Sequence, residues 1–220
     1  MTLGLMFLLS RAIGTGATAV GQAGLLYLLI ANSILIGIGR YTPSGRFGPA
    51  DWITLGRATL VCALAGLIGS EASGGLGWIP MSIGAVILAL DGLDGCVARR
   101  TGTNSAFGAC FDREVDTLFI LVLGMSVVDA GTVGVWVLLT GGLRYAFIAA
   151  CALWPWLAAD LPPSRRRKMV SGVQVLLLLA CLAPVADQAL GTVLAATAVG
   201  LVATSFAIDI RWLHKVAAQE

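Results

Sequence analysis

Apolar runs of about 20 residues recur along this chain, and most of its basic residues fall in the connections between them. A helix that crosses the hydrocarbon core of a bilayer, about 30 Å thick, needs about 20 predominantly apolar residues. Seven stretches meet or approach that length: 18–39, 53–70, 78–98, 106–128, 131–157, 169–187 and 190–212. Only 12% of the 220 residues are charged and 58% are hydrophobic, with a mean hydropathy of +0.90. A soluble domain carries about 25% charged residues, so this chain has too little polar surface to cover a globule in water. The expectation is an all-α integral membrane protein, because only helices and closed barrels satisfy every backbone polar group within lipid. Residues 49–220 are expected to form a six-helix body. Residues 1–48 hold one additional N-terminal transmembrane helix and an interfacial linker rich in Gly, Pro and Arg (40–52).

The charges assign an orientation. The connections at 40–57, 99–105, 158–168 and 211–220 carry Arg40, Arg46, Arg57, Arg99, Arg100, Arg165, Arg166, Arg167, Lys168, Arg211 and Lys215. The alternate connections carry Glu71, Asp129 and Asp187 and no Lys or Arg. Cytoplasmic connections are the basic ones, so the region 91–116 is expected on the cytoplasmic side of a multi-pass protein of the cell membrane. Arg11 is the exception to this alternation. The first ten residues are apolar too, but Arg11 and the Gly/Thr-rich 14–18 interrupt them, and with no small-residue cleavage site they are expected to be retained. The five cysteines form no CxxC pair and mostly sit in apolar runs, which reads as small buried residues. His214 has no partner in sequence and reads as interfacial. The basic residues flank spans, so no nucleic acid partner is expected.

Eight charged residues crowd into 91–116: Asp91, Asp94, Arg99, Arg100, Asp112, Arg113, Glu114 and Asp116. Ionisable groups within membrane helices are costly and generally functional. Asp91 and Asp94 stand at i,i+3; Gly108, Asp112 and Asp116 repeat at i,i+4 on the next helix. Residues three or four apart share a helix face. Two neighbouring helices joined by a turn around Thr101–Ser105 can therefore aim four carboxylates at one point, while Gly95 and Gly108 permit close approach. Ionised carboxylates repel one another unless cations lie between them. Hard divalent ions with oxygen ligands meet that need, and Mg²⁺ or Mn²⁺ commonly binds carboxylates together with substrate phosphates. Pairing of these acids with Arg99, Arg100 and Arg113 as interfacial salt bridges is the purely structural alternative. A cation transporter or channel using the acids as an ion site is the functional one, and an intramembrane aspartyl protease is a third. The acids cluster at one membrane face instead of lining a path or meeting at mid-membrane, which disfavours both of the last two.

The run Asp91-Gly-Leu-Asp94-Gly95-Cys-Val-Ala98-Arg99, followed by Gly108-Ala-Cys-Phe-Asp112-Arg-Glu-Val-Asp116, resembles the signature of the CDP-alcohol phosphotransferase family: D-x2-D-G-x2-A-R, a short spacer, then G-x3-D-x3-D. The segment Asp51-Trp-Ile-Thr54-Leu-Gly-Arg57 is similar to the family's P-N-x-L-T-x-x-R, with Asp51 where Asn is usual and Ala50 where Pro is usual. Many relatives read L-D-P-x-A-D-K where this chain reads Phe111-Asp112-Arg113-Glu114-Val115-Asp116-Thr117, with Thr117 in place of Lys and Glu114 expected to face solvent. The resemblance covers about residues 51–120.

It implies a six-helix membrane enzyme that moves a phosphatidyl or similar group from a CDP-diacylglycerol-type donor to a small alcohol acceptor, releasing CMP, in phospholipid biosynthesis. It implies that Asp91, Asp94 and Asp112 hold two divalent ions, with Asp116 sharing one and acting as general base. Gly95, Ala98, Arg99, Ser105 and Gly108 would contact the nucleotide, and Asp51, Thr54 and Arg57 the donor. Membrane lipids are implied partners, and a homodimer is the family-based expectation. On the acceptor side, Arg144 inside an apolar run, and Arg167 and Lys168 at a helix start, favour a phosphorylated acceptor such as glycerol phosphate or inositol phosphate. Arg165 and Arg166 read as topological. Lys168-x2-Ser171-x2-Gln174 loosely resembles a K-x-K-T-x2-Q stretch of phosphatidylglycerophosphate synthases but lacks the second Lys.

Overall fold

A computed structural model of the chain describes residues 49–69, 78–101, 106–159, 161–162 and 164–218; side chains are described throughout these except at 49–50, 93–101 and 106–107. The N-terminal span expected at 18–39 and the linker after it lie outside the described residues. The described residues are helical, with no strand among them: α1 (Pro49–Leu67), α2 (Trp78–Thr101), α3 (Ala106–Asp129), α4 (Leu139–Leu153), α5 (Arg165–Cys181) and α6 (Gln188–Ala217), with short 3₁₀ turns at Val135–Leu138 and Pro155–Ala158. The chain divides into two compact units, residues 1–122 and 123–220.

Local chemistry sets the boundaries. Proline at a first helical position loses no bond, since that N–H has no intrahelical partner, and Pro49 opens α1. Gly69 (φ +73°) follows α1 and Gly131 (φ +70°) follows α3. Both adopt the left-handed conformation that commonly ends a helix and that glycine enters without a Cβ penalty. Within the run 131–157, expected as one span, the helical stretch is Val135–Leu153. Proline disfavours helical backbone in the residue before it, and Trp154 turns extended (φ −124°, ψ 94°) ahead of Pro155, ending α4. Asp187 caps α6, its side chain accepting from the Leu190 N–H at 2.8 Å.

In the first unit α1 packs on α2, and Val61, Leu64 and Ile87 are fully buried. In the second, α5 packs on α6, and α4 and the turn after it pack on α6 as well. The buried residues of α6 are Gly191, Ala195, Ala198, Val202, Ser205, Asp209 and Leu213. Steps of three and four put them on one stripe, small at its start, as close helix approach in a membrane requires. A Cβ on Gly191 would collide with the Thr132 methyl. Outside this stripe, from Leu190 to Ile210, most of the helix is apolar and exposed or half-buried.

Two helical stretches among the described residues are long and apolar enough to cross a membrane, Val135–Leu153 and Gln188–Ala217. Only 17% and 28% of their apolar windows are buried inside the protein, whereas the core helix of a soluble protein would be mostly buried. Trp52 and Trp78 are exposed in the first turns of α1 and α2, Trp154 just past α4, and Trp212 near the end of α6. Tryptophan at span ends is what the membrane–water interface selects.

α5 opens on Arg165, Arg166, Arg167 and Lys168, the wrong charge for the positive end of a helix dipole. Part of that charge is met by α6. Arg166 Nη1 donates to the Ser205 carbonyl at 2.9 Å and to Ser205 Oγ at 2.6 Å, and its Nη2 donates to Asp209. Arg167 donates to the same Asp209 carboxylate at 3.3 Å, and also to the Pro162 carbonyl. Ser205 and Asp209 are buried and one turn apart on the α6 stripe. Arg166, read from sequence as topological, therefore also clasps α5 to α6.

Asp209→Ala should lower the thermal unfolding temperature in detergent, by a loss of about 1–3 kcal/mol from removing the carboxylate that two guanidinium groups share. In a cycle with Arg166→Met, the two losses should fall short of adding by about 1 kcal/mol; strict additivity would show that the clasp contributes nothing. Asp187→Ala should cost about 1 kcal/mol through the lost cap, and Asp187→Asn much less.

Candidate functional site

The buried face of α1 changes character along its length. Asp51, Thr54 and Arg57, at three-residue spacing, are buried near its start, and Ala58, Val61 and Leu64 continue inward as an apolar stripe. Trp52 and Gly56 face outward. A buried arginine must be met by acids, since leaving its charge unpaired in a low-dielectric interior costs several kcal/mol, on the order of the desolvation penalty.

Those acids come from α2 and α3. Asp112 and Asp116 lie one turn apart on α3 and are half-buried, while Arg113 and Glu114 between them are exposed, as the helical period dictates. Glu114 thus faces outward, as expected. Phe111 and Val115 are buried alongside. Asp91 lies on α2, also half-buried. Arg57 reaches all three. Its Nη1 donates to Asp112 Oδ1 at 2.7 Å, and its Nη2 stands 2.8 Å from Asp91 Oδ1 and donates to Asp116 Oδ1. The guanidinium side chain is 1% exposed and each carboxylate side chain 40%. One side chain of α1 thereby ties α2 to α3.

Asp91, Asp112 and Asp116 each offer a carboxylate oxygen, and the three oxygens lie within 4.8 Å of one another. One guanidinium against three ionised carboxylates leaves an excess of two negative charges in the group. Oxygen-only donors of that charge, accessible from outside, fit a hard divalent cation.

Of the four acids expected to converge, three do so here. Asp94 is on α2, three residues beyond Asp91, but its side chain lies outside the described residues. The same holds for Gly95, Ala98 and Arg99, whose backbone continues α2 to Thr101. Ser105 lies outside the described residues altogether. α2 ends at Thr101 and α3 starts at Ala106; the rest of the turn expected around Thr101–Ser105 lies outside the described residues. Gly108 is half-buried in the first turns of α3. On the acceptor side, Arg144 is half-buried on α4, Arg167 is bonded to Asp209 and Pro162, and Lys168 is exposed. Gln174, from the weak α5 motif, is buried and donates to the Thr140 carbonyl at 3.0 Å, a contact between α5 and α4.

Two features escaped the sequence reading. Arg57 was assigned to the donor, and its contact with the acids was not anticipated; the signal was an arginine within an apolar helix, which needs partners of opposite charge. Ser205 and Asp209 were passed over inside the run 190–212. There the signal was a lone acid within a span and a basic cluster at the preceding helix start.

No curated protein matches the chain. Residues 48–207, well over half of it, match the family model for CDP-alcohol phosphatidyltransferase. That match takes in α1 with its buried Arg57 and the helices that bring Asp91, Asp112 and Asp116 together, and the chain belongs to the CDP-alcohol phosphatidyltransferase family.

Proposed function

We propose that this protein transfers a phosphatidyl or related phosphoryl-alcohol group from a CDP-linked lipid donor to an acceptor alcohol, releasing CMP, in a metal-dependent step of phospholipid biosynthesis. The observation that carries this reading is the gathering of Asp91, Asp112 and Asp116 from two helices to within 4.8 Å. Membership of the family supplies the reaction class.

Asp91, Asp94 and Asp112, with Asp116 shared, would hold two ions, Mg²⁺ or Mn²⁺. Such ions, when bound, neutralise the charge that develops on a transferred phosphate and its leaving group. Asp116 then serves as general base, accepting the proton of the acceptor hydroxyl at a carboxylate oxygen within hydrogen-bond reach. The proton grows more acidic as the oxygen attacks, so a carboxylate is basic enough. Gly95, Ala98, Arg99, Ser105 and Gly108 would receive the nucleotide, with Asp51, Thr54 and Arg57 on the donor side. The buried polar stretch of α1 supports that last assignment, since it places Thr54 and Arg57 on the face that carries the carboxylate contacts.

The acceptor in this reading is a phosphorylated alcohol, met by Arg144, Arg167 and Lys168. Arg167 already donates to Asp209 and Pro162, so recruiting it costs those contacts, and Arg144 and Lys168 carry more of the assignment. We further read the protein as multi-pass in the cell membrane, with six spans in residues 49–220, one more in 1–48, and the carboxylates on the cytoplasmic side. The helices α1 to α6 fall on the six apolar stretches expected in residues 49–220. A homodimer is the expected assembly.

The protein in detergent or native membranes should release CMP from CDP-diacylglycerol when given Mn²⁺ and the right member of an acceptor panel containing glycerol phosphate, inositol phosphate and uncharged alcohols. Chelation should abolish release, and added Mn²⁺ or Mg²⁺ should restore it. Asp116→Asn should lower kcat by about 100-fold or more, the scale of a lost general base, while leaving the unfolding temperature near that of the wild type. CMP release that survives both chelation and Asp116→Asn would sink the proposal.

A further inference from the structure

Arg57 is an unexpected companion for carboxylates that take a metal. The three acids have a buried side, held by a guanidinium that is 1% exposed, and an accessible side, since each is 40% exposed. On the buried side both terminal nitrogens are engaged, Nη1 with Asp112 and Nη2 with Asp91 and Asp116. These are the same three residues whose oxygens converge to within 4.8 Å. The guanidinium therefore does part of what a cation would do, suppressing repulsion among acids that would otherwise push one another apart. It does so incompletely, because one positive charge faces three negative ones. A divalent ion is attracted by the remaining charge and repelled by the guanidinium a few ångströms away.

We propose that Arg57 is a built-in counter-ion that competes with the divalent cation for Asp91, Asp112 and Asp116. It holds the three carboxylates together before metal arrives and yields part of its contacts when metal binds. The inference rests on the metal-dependent reading above and adds a role for Arg57 ahead of any contact with donor. Its consequence is ordered loading. A buried guanidinium released from carboxylates needs another anion, and the diphosphate of a nucleotide-linked donor carries that charge on paired oxygens that arginine's planar fork can engage two at a time. Metal alone then binds against resistance, and metal arriving with the diphosphate does not. By linkage each raises the affinity of the other. A resting site of this kind stays assembled without holding metal tightly.

The test is binding of Mn²⁺ alone, without nucleotide, to the full chain in detergent micelles, read from the electron paramagnetic resonance signal of free hydrated Mn²⁺. Removing the competitor should tighten binding, the reverse of what loss of a substrate-binding arginine does. Arg57→Gln should bind Mn²⁺ about tenfold more tightly or better, equivalent to about 1.4 kcal/mol. Arg57→Lys keeps the charge as a single ammonium without the fork, and should tighten binding by a smaller factor. Equal or weaker binding by Arg57→Gln, with normal binding by the wild type, overturns the role of Arg57 and leaves the metal reading standing. If Arg57→Gln does not survive purification, Arg57→Lys decides: tighter binding than wild type supports the proposal, and unchanged or weaker binding overturns it. No Mn²⁺ binding by any form overturns the metal reading and this inference together.

Discussion

The described helices of the first unit, α1, α2 and α3, meet at one buried cation. Arg57 is enclosed by the protein, and a charge removed from water is tolerated only where opposite charges approach it closely and fill its hydrogen-bonding capacity. Asp91, Asp112 and Asp116 meet that condition at hydrogen-bond distances. The dependence runs both ways, since three half-buried carboxylates converging from two helices would repel one another without it. Each helix thus supplies something the others cannot keep alone. α1 brings the cation, and α2 and α3 bring the anions that gather on it. The same arrangement leaves excess negative charge at an accessible edge, where a chain of this family has use for a cation.

The second unit resolves a similar problem differently. A cluster of four basic residues at the start of α5 opposes the helix dipole. Asp209 and Ser205, on the buried stripe of α6, take up Arg166 and part of Arg167. The surrounding surface is largely apolar, and the interior stripe opens on the small residues Gly191, Ala195 and Ala198, a pattern that suits lipid. Contact between α5 and α6 thus combines close packing at one end with a polar clasp at the other. The clasp also draws on charge that the sequence alone assigns wholly to topology and acceptor.

Helix positions were largely legible. The apolar runs at 53–70, 78–98, 106–128, 169–187 and 190–212 all carry helices, because run length and the obligation to satisfy backbone groups leave few other conformations. Within the run at 131–157 the helical stretch is shorter, Val135–Leu153, because hydropathy is blind to the backbone restriction that Pro155 imposes on Trp154. The convergence of Asp91, Asp112 and Asp116 was legible as well, since spacing of three or four fixes a helix face whatever the neighbours are. The partner of those acids was not. Arg57 is 34 residues from Asp91 and 59 from Asp116, and periodicity within one helix says nothing about which side chain of another helix will reach it.

The sequence by itself determined the solvent, the helices and the faces that carry charge, because those follow from transfer free energies and the 3.6-residue period, which act locally. It also determined the family, through motifs contiguous along the chain. Only the tertiary structure decided which charges compensate which: Arg57 with three aspartates, and Arg166 and Arg167 with Asp209. Electrostatic pairing depends on distance and burial after packing. A guanidinium on a long flexible stem can choose among many acids until the helices around it leave it one place to go.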